Sequence, residues 1–228
     1  EVPDRPRPDR FRERTGIRGS FAIYVGRIDK NKGCGELFDH FRRYAASSAR
    51  RLQLVLVGNP VMAVPTHPCI HPLGFVTDEE KFDAMAAADL LIMPSYFESL
   101  SMVTLEAWAL SLPVLVNGRC DVLRGQAVRS NAALYYDSYE EFAEALHLLE
   151  SNHRLREAFG GNGRAYFERH YTWPVVVGKY LDVLDRLRRE DAERVERPIE
   201  PLPGWLARRR RTVPPARELV DALPTGAV

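Results

Sequence analysis

From residue 21 onward short apolar runs alternate with longer amphipathic stretches, and this alternation restricts the chain to very few folds. Phe21-Ala-Ile-Tyr-Val25 is a strand-length run closed by Gly26. Leu37, Phe38, Phe41, Tyr44 and Ala45 then recur at the spacing of a helix with one face on a sheet. Leu52-Gln-Leu-Val-Leu-Val57 carries almost no polar alternation, so both faces of a strand there should be covered, which points to parallel pairing. A short strand is expected over residues 69–71. Thr77-Asp-Glu-Glu80 reads as a helix start, a hydroxyl cap with acids in the first turn. Leu90-Leu-Ile-Met93 is a further buried strand, and a helix resumes near Ser101. Strands at Pro113–Val116 and 134–136 follow, then helices over 139–150, 153–169 and 174–189. Strands separated by helices of these lengths make a Rossmann-like, doubly wound parallel α/β sheet. Such sheets bind ligands beyond the carboxyl ends of their strands, so the site is expected in the loops after Val25, Val57, Pro94 and Val116.

Charge and length exclude several functions. The 32 basic and 31 acidic residues leave a net charge of +1, and the basic residues cluster once, at Arg208–Arg211, so no nucleic acid is expected as a partner. No stretch reaches the roughly 18 consecutive apolar residues of a membrane-spanning helix. The three cysteines, Cys34, Cys69 and Cys120, lack the paired spacing of a zinc site or disulfide framework and read as reduced thiols. Prolines concentrate at the two ends, before residue 20 and after residue 190, so the ends read as linker and tail around a folded middle. The first residues, Glu-Val-Pro-Asp-Arg-Pro, carry neither an initiator Met nor a signal-peptide pattern, so the chain is expected to start inside a longer polypeptide.

Two loops carry residues suited to chemistry. Gly26-Arg27-Ile-Asp-Lys-Asn-Lys32-Gly33 places cations between glycines at a strand-to-helix turn, which suits a phosphate or diphosphate; a solvated turn is the competing reading. In Pro94-Ser-Tyr-Phe-Glu98-Ser-Leu-Ser-Met-Val-Thr-Leu-Glu106, the second acid follows the first by eight positions, about two helical turns. An acid near free amides at a helix entrance can bind sugar hydroxyls while the amides take phosphate oxygens. The competing reading makes Glu98 a helix cap and Glu106 a surface acid, but Glu106 lies between Leu105 and Ala107, where an unpaired carboxylate is costly. His67-Pro-Cys69-Ile-His71 reads as a short strand leaving a loop in preference to a metal site, and no histidine has a nucleophilic partner in sequence.

With these motifs the chain resembles the retaining nucleotide-sugar glycosyltransferases of family 4, which have the GT-B architecture. The resemblance rests on Gly26-Arg27 with Lys32-Gly33, Val57-Gly58, Gly74-Phe75-Val76, Ala88-Asp-Leu-Leu-Ile-Met-Pro94-Ser95, and the spaced acids Glu98 and Glu106 followed by Pro113-Val-Leu-Val. It covers about residues 20–190, the carboxy-terminal, donor-binding half of such an enzyme. It implies that Arg27 and Lys32 hold the diphosphate, that Glu98 lies by the transferred sugar, and that Glu106 binds the ribose hydroxyls. It further implies that Ser99, Leu100 and Ser101 contact sugar and phosphate through their backbone, and that Gly26, Phe75 and Val76 line the nucleotide. A nucleotide-diphosphate sugar is then the donor substrate, no cofactor or metal is expected, and the chain contains no Asp-x-Asp.

Several positions depart from the family pattern. Ser99-Leu100-Ser101 stands where Gly-Phe-Gly is common, Ser111-Leu112 and Ala132-Ala133 where a glycine is usual, and Asn117-Gly-Arg-Cys-Asp121 where a Gly-Gly turn is usual. Residues 1–20 are expected to be an interdomain linker, 21–170 the Rossmann-like domain, 171–190 a carboxy-terminal crossover helix and 191–228 a disordered Pro/Arg-rich tail. The missing amino-terminal domain would bind the acceptor, so the isolated chain should bind nucleotide and transfer nothing. A cytoplasmic location is expected, with a weak anionic-membrane contact through Arg208–Arg211. Two alternatives stay open: a sugar-nucleotide epimerase or phosphorylase of similar architecture, and a non-catalytic nucleotide-binding module.

Overall fold

A computed structural model describes residues 2–3, 5–48 and 52–193. Its central feature is a parallel sheet of six strands: β1 (Phe21–Val25), β2 (Gln53–Val57), β3 (Ile70–Gly74), β4 (Leu90–Met93), β5 (Val114–Asn117) and β6 (Ala133–Tyr136). Their order is β3-β2-β1-β4-β5-β6. The chain therefore runs outward from β1 to one edge, returns to the other side of β1 and runs outward again. The reversal falls between β1 and β4, which pair at Ala22 with Leu90 and Ile23 with Leu91.

The absence of polar alternation in the strands follows from cover on both faces. Phe21, Ile23, Val25, Val55, Val57, Leu91, Met93, Val114 and Val116 enter one buried cluster, with Phe82, Met85, Leu105 and Trp108. Their neighbours Ala22, Tyr24, Leu54, Leu56, Leu90, Ile92 and Leu115 enter the other, with Leu37, Phe38, Phe41 and Phe142. Successive strand side chains point to opposite faces, so one continuous apolar run supplies both cores. The helices divide accordingly. Those of the first cluster are α1 (Pro8–Thr15), α3 (Asp78–Ala87), α4 (Met102–Ala109) and α5 (Asp121–Ser130), and those of the second are α2 (Cys34–Ser47) and α6 (Tyr139–Ser151). Helix α7 (His153–His170) packs on α4.

The structure adds two helices and shifts two boundaries. Residues 1–20, expected as a linker, contain α1, which starts at a proline, a residue tolerated in the first helical turn. Phe11 buries itself in the core, and Asp83 of α3 receives Arg10 and the Arg7 N–H, so the segment is fastened to the domain at several points. Burial alone would raise the Asp83 carboxyl, but Arg10 and the Arg7 N–H outweigh it and hold it below the usual carboxylate range. Helix α5 has weak periodicity, interrupted by Gly125, and was not anticipated. The strands expected at 69–71 and 113–116 run over Ile70–Gly74 and Val114–Asn117.

The described residues fall into two units that divide between Val176 and Val177. Helix α8 (Trp173–Glu193) starts before that division, and its later part repeats Val177, Tyr180, Leu181, Leu184 and Leu187 along one face. The helix includes Asp191–Glu193, assigned to the tail by sequence, and Arg208–Arg211 lie outside the described residues. Among the described residues no helix is long and apolar enough to cross a membrane.

Candidate functional site at the switch point of the sheet

The loops after β1 and β4 leave the sheet at its topological reversal, where open parallel sheets form their binding crevice. The first is a rigid turn. The Asp29 carboxylate accepts from the Asn31 N–H at 2.8 Å and caps a short 3₁₀ turn over Lys30–Lys32. Gly33 ends that turn in the left-handed region, φ 73°, and α2 starts directly after it. From below, the Tyr24 hydroxyl donates to the Arg27 carbonyl at 2.7 Å. Along its flank the Ile28 N–H donates to Asn59 O and the Val61 N–H to Ile28 O, so the loop after β2 supports it. Cys34, at the start of α2, is fully buried, and that burial pushes its thiol up, so it remains a protonated packing residue.

The second loop is anchored as firmly. Asn117 at the end of β5 donates its side-chain amide to the Pro94 carbonyl at 3.0 Å, and Gln126 of α5 donates to Leu100 O at 2.8 Å. Tyr96 donates to the Glu36 carboxylate, which also receives the Arg119 guanidinium. Two loops are thereby tied to one acid in the first turn of α2. Helix α4 then opens at Ser101 without a side-chain cap bond, and the Thr104 N–H donates back to the Ser101 carbonyl at 3.1 Å.

This scaffold brings Lys32 and Glu98 into contact, with the ammonium 2.8 Å from Oε1. Glu98 does not cap α4. A cleft of about 530 Å³ opens over the pair, lined also by Phe97, Ser99, Arg119 and Asp121. Arg27 lies outside this lining, 59% exposed and 2.9 Å from Asp29. Glu106 and the Phe75–Val76 segment also lie outside it, on α4 and on the loop after β3. Glu106 is not a surface acid. Oε1 accepts from Lys81 of α3 at 2.9 Å, and Oε2 is buried with no hydrogen-bond partner. Phe75 and Phe97 are both exposed.

A larger depression, about 720 Å³, lies beside the last turns of α5 and α7, on the side where β6 begins. Its arginines, Arg129 and Arg169, stand in the last turns of α5 and α7, where they offset the macrodipoles, so the chemistry does not belong there. Lys81 and Glu36 sit in no motif, and Asn117 and Arg119 are visible in sequence only as part of a stretch that departs from a Gly-Gly turn; the partners of all four are supplied by the fold.

A family profile described as "Glycosyl transferases group 1" matches residues 20–152. The chain belongs to the group 1 glycosyltransferases. Within this family it is similar to the capsular polysaccharide biosynthesis glycosyltransferase CapM of Staphylococcus aureus, 26% identical over 70% of this chain and 44% of CapM. The chain therefore spans less than half the length of that relative. Among solved structures it is similar to HepE of Anabaena in complex with UDP, with a TM-score of 0.68 and 16% identity over 78% of this chain and 52% of HepE. It is also similar to the C-terminal domain of the group 1 glycosyltransferase LpcC of Francisella tularensis, with a TM-score of 0.61 and 19% identity over 75% of this chain and 96% of that domain.

The departures of this group 1 family chain from the expected glycine pattern have a direct backbone expression. Among the described residues three non-glycines hold positive φ: Ser101 at 58°, Ser111 at 57° and Asn131 at 48°. Two of them are serines at positions expected to be glycine, and Asn131 immediately precedes Ala132-Ala133. The chain kept the left-handed turns and changed the side chains, at a cost of about 1 kcal/mol or more each. Ser111→Gly should therefore raise stability slightly, by about 0.5 kcal/mol once the extra freedom of glycine in the unfolded chain is subtracted. Ser101→Gly should gain nothing, because it also removes the 2.9 Å contact between Ser101 Oγ and Thr104 Oγ1. Parallel denaturant titrations of the two variants check this, and equal responses would contradict it.

Proposed function

We propose that the chain is the donor-binding half of a retaining, metal-independent glycosyltransferase of family 4 that uses a nucleotide-diphosphate sugar. The observation that carries this reading is the buried, unpartnered Oε2 of Glu106, on the helix entered from the loop that joins Glu98 to Lys32. A buried acceptor without a donor costs about 1–3 kcal/mol, and a ribose hydroxyl would supply the donor. In this reading Arg27 and Lys32 hold the diphosphate, and Glu98 and the Ser99–Ser101 backbone meet the transferred sugar. The base lies along Phe75 and Val76, near Gly26. The UDP bound by the Anabaena neighbour supports a nucleoside diphosphate as the ligand class.

The chemistry fits these groups. Breaking the bond between sugar and diphosphate places negative charge on the departing phosphate and positive charge on the ring. Fixed cations and helix-end amides stabilise the first, and the Glu98 carboxylate lies on the side of the second. The acceptor groups come from an amino-terminal domain of the same polypeptide, so this chain alone binds donor and does not transfer. The cytoplasmic setting and the weak membrane contact through Arg208–Arg211 belong to the same proposal.

Calorimetric titration of UDP, GDP and ADP tests it. One of the three should bind, and Arg27→Ala and Glu106→Ala should each weaken it by about tenfold, the worth of one hydrogen bond to a charged group. Binding of none, or binding indifferent to both changes, would make a non-catalytic module of this fold the better reading.

A further inference from the structure

The acid assigned to ribose has a partner that the donor scheme does not use. Lys81 stands one turn into α3, and its side chain is only 16% exposed. Its ammonium lies 2.9 Å from Oε1 of Glu106, 3.2 Å from Asp78 Oδ1 and 4.3 Å from the centre of the Phe82 ring. Asp78 is 89% exposed, so water screens that pair strongly. Glu106 is 20% exposed and sits among Leu105, Ala107 and Trp108, so the Lys81–Glu106 pair is the stronger of the two.

The geometry is one-sided. A carboxylate offers acceptor sites on both oxygens. Lys81 occupies Oε1 and so fixes the rotation of the carboxyl plane, while Oε2 stays buried without a donor. Without the lysine, the same carboxylate would be an unpaired charge in an apolar helix, free to turn toward water.

We propose that Lys81 is a positioning residue for nucleoside recognition: by holding Oε1 of Glu106 it presents Oε2 as the acceptor for a ribose hydroxyl. This rests on the donor-binding reading above. Lys81 itself does not touch the nucleotide. Its contribution therefore depends on the hydroxyls of the sugar and is independent of the diphosphate.

The test compares the tightest binder among UDP, GDP and ADP with its 2′,3′-dideoxy analogue, in wild type, Lys81→Met and Lys81→Arg, with thermal melting as a control for folding. Wild type should prefer the ribose form by about tenfold, and Lys81→Met should reduce that preference to about twofold while binding the dideoxy form unchanged. Lys81→Arg, which keeps a donor on Oε1, should restore most of it. Should the methionine variant not fold, Lys81→Gln carries the same comparison. Equal weakening of both ligands, or an intact ribose preference, would overturn the positioning role and leave the donor-binding reading standing. A wild type that binds none of the three nucleotides would remove both.

Discussion

Gly33→Ala is expected to lower the stability of the domain by about 3–4 kcal/mol, roughly 10 °C in the melting midpoint. Two effects combine at this position. Gly33 has φ 73°, where a Cβ costs about 1–2 kcal/mol on backbone grounds alone. That Cβ would also fall onto the carbonyl oxygen of Pro94, too close for any real contact. Neither side can retreat cheaply. The Pro94 carbonyl is held by the Asn117 side chain at 3.0 Å, and the Gly33 turn is held by Asp29 below α2. The collision would separate the loop carrying Lys32 from the loop carrying Glu98, so nucleotide affinity should fall with stability. Gly19→Ala is the control, since Gly19 has φ 81° and nothing within 4 Å of a built Cβ. It should show the backbone cost without the collision. Equal melting midpoints for the two variants would mean that the close approach of the loops is not what Gly33 serves.

The same pair of loops shows what could be read from the sequence. Apolar runs such as Leu90-Leu-Ile-Met93 state that a strand is buried on both faces, and from that the parallel sheet follows. Lys32, Glu98 and Glu106 stand out in the sequence because each sits at a fixed offset from a strand end or helix start. The facts that bind them together were not legible. The Lys32–Glu98 contact depends on β1 and β4 being neighbours, a property of strand order that no local pattern encodes. Lys81 is a lysine in the first turns of a helix, a position where lysines are usually solvated, and only the packing of α3 beside α4 turns it toward Glu106. Helix α1 was hidden for a different reason. Its prolines signal a linker, yet Pro8 sits in the first helical turn, where proline costs nothing, and Phe11 supplies the burial. Ser101 and Ser111 were visible as departures from glycine, but that they retain the left-handed conformation is knowledge only a backbone can supply.

Lys32→Met should cost the most in turnover. In a protein that carries both halves, we expect kcat to fall by about 10²–10³, with a smaller change in KM, since removing one preorganised stabiliser of a developing oxyanion has an effect of that order. The loss has two possible origins, because Lys32 also neutralises Glu98, whose side chain is only 11% exposed. If the lysine served mainly to pair with that acid, its removal would leave an uncompensated carboxylate beside the sugar, and Lys32→Met with Glu98→Gln would recover activity. If the ammonium acts on the departing diphosphate, the double variant stays as slow as the single one, and Lys32→Arg recovers part of the rate by restoring a cation. Single-turnover measurements separate the two, since they exclude product release. A Lys32→Met enzyme within about fivefold of wild type would take the lysine out of the chemistry, because a stabiliser of the leaving group cannot be removed at so small a cost.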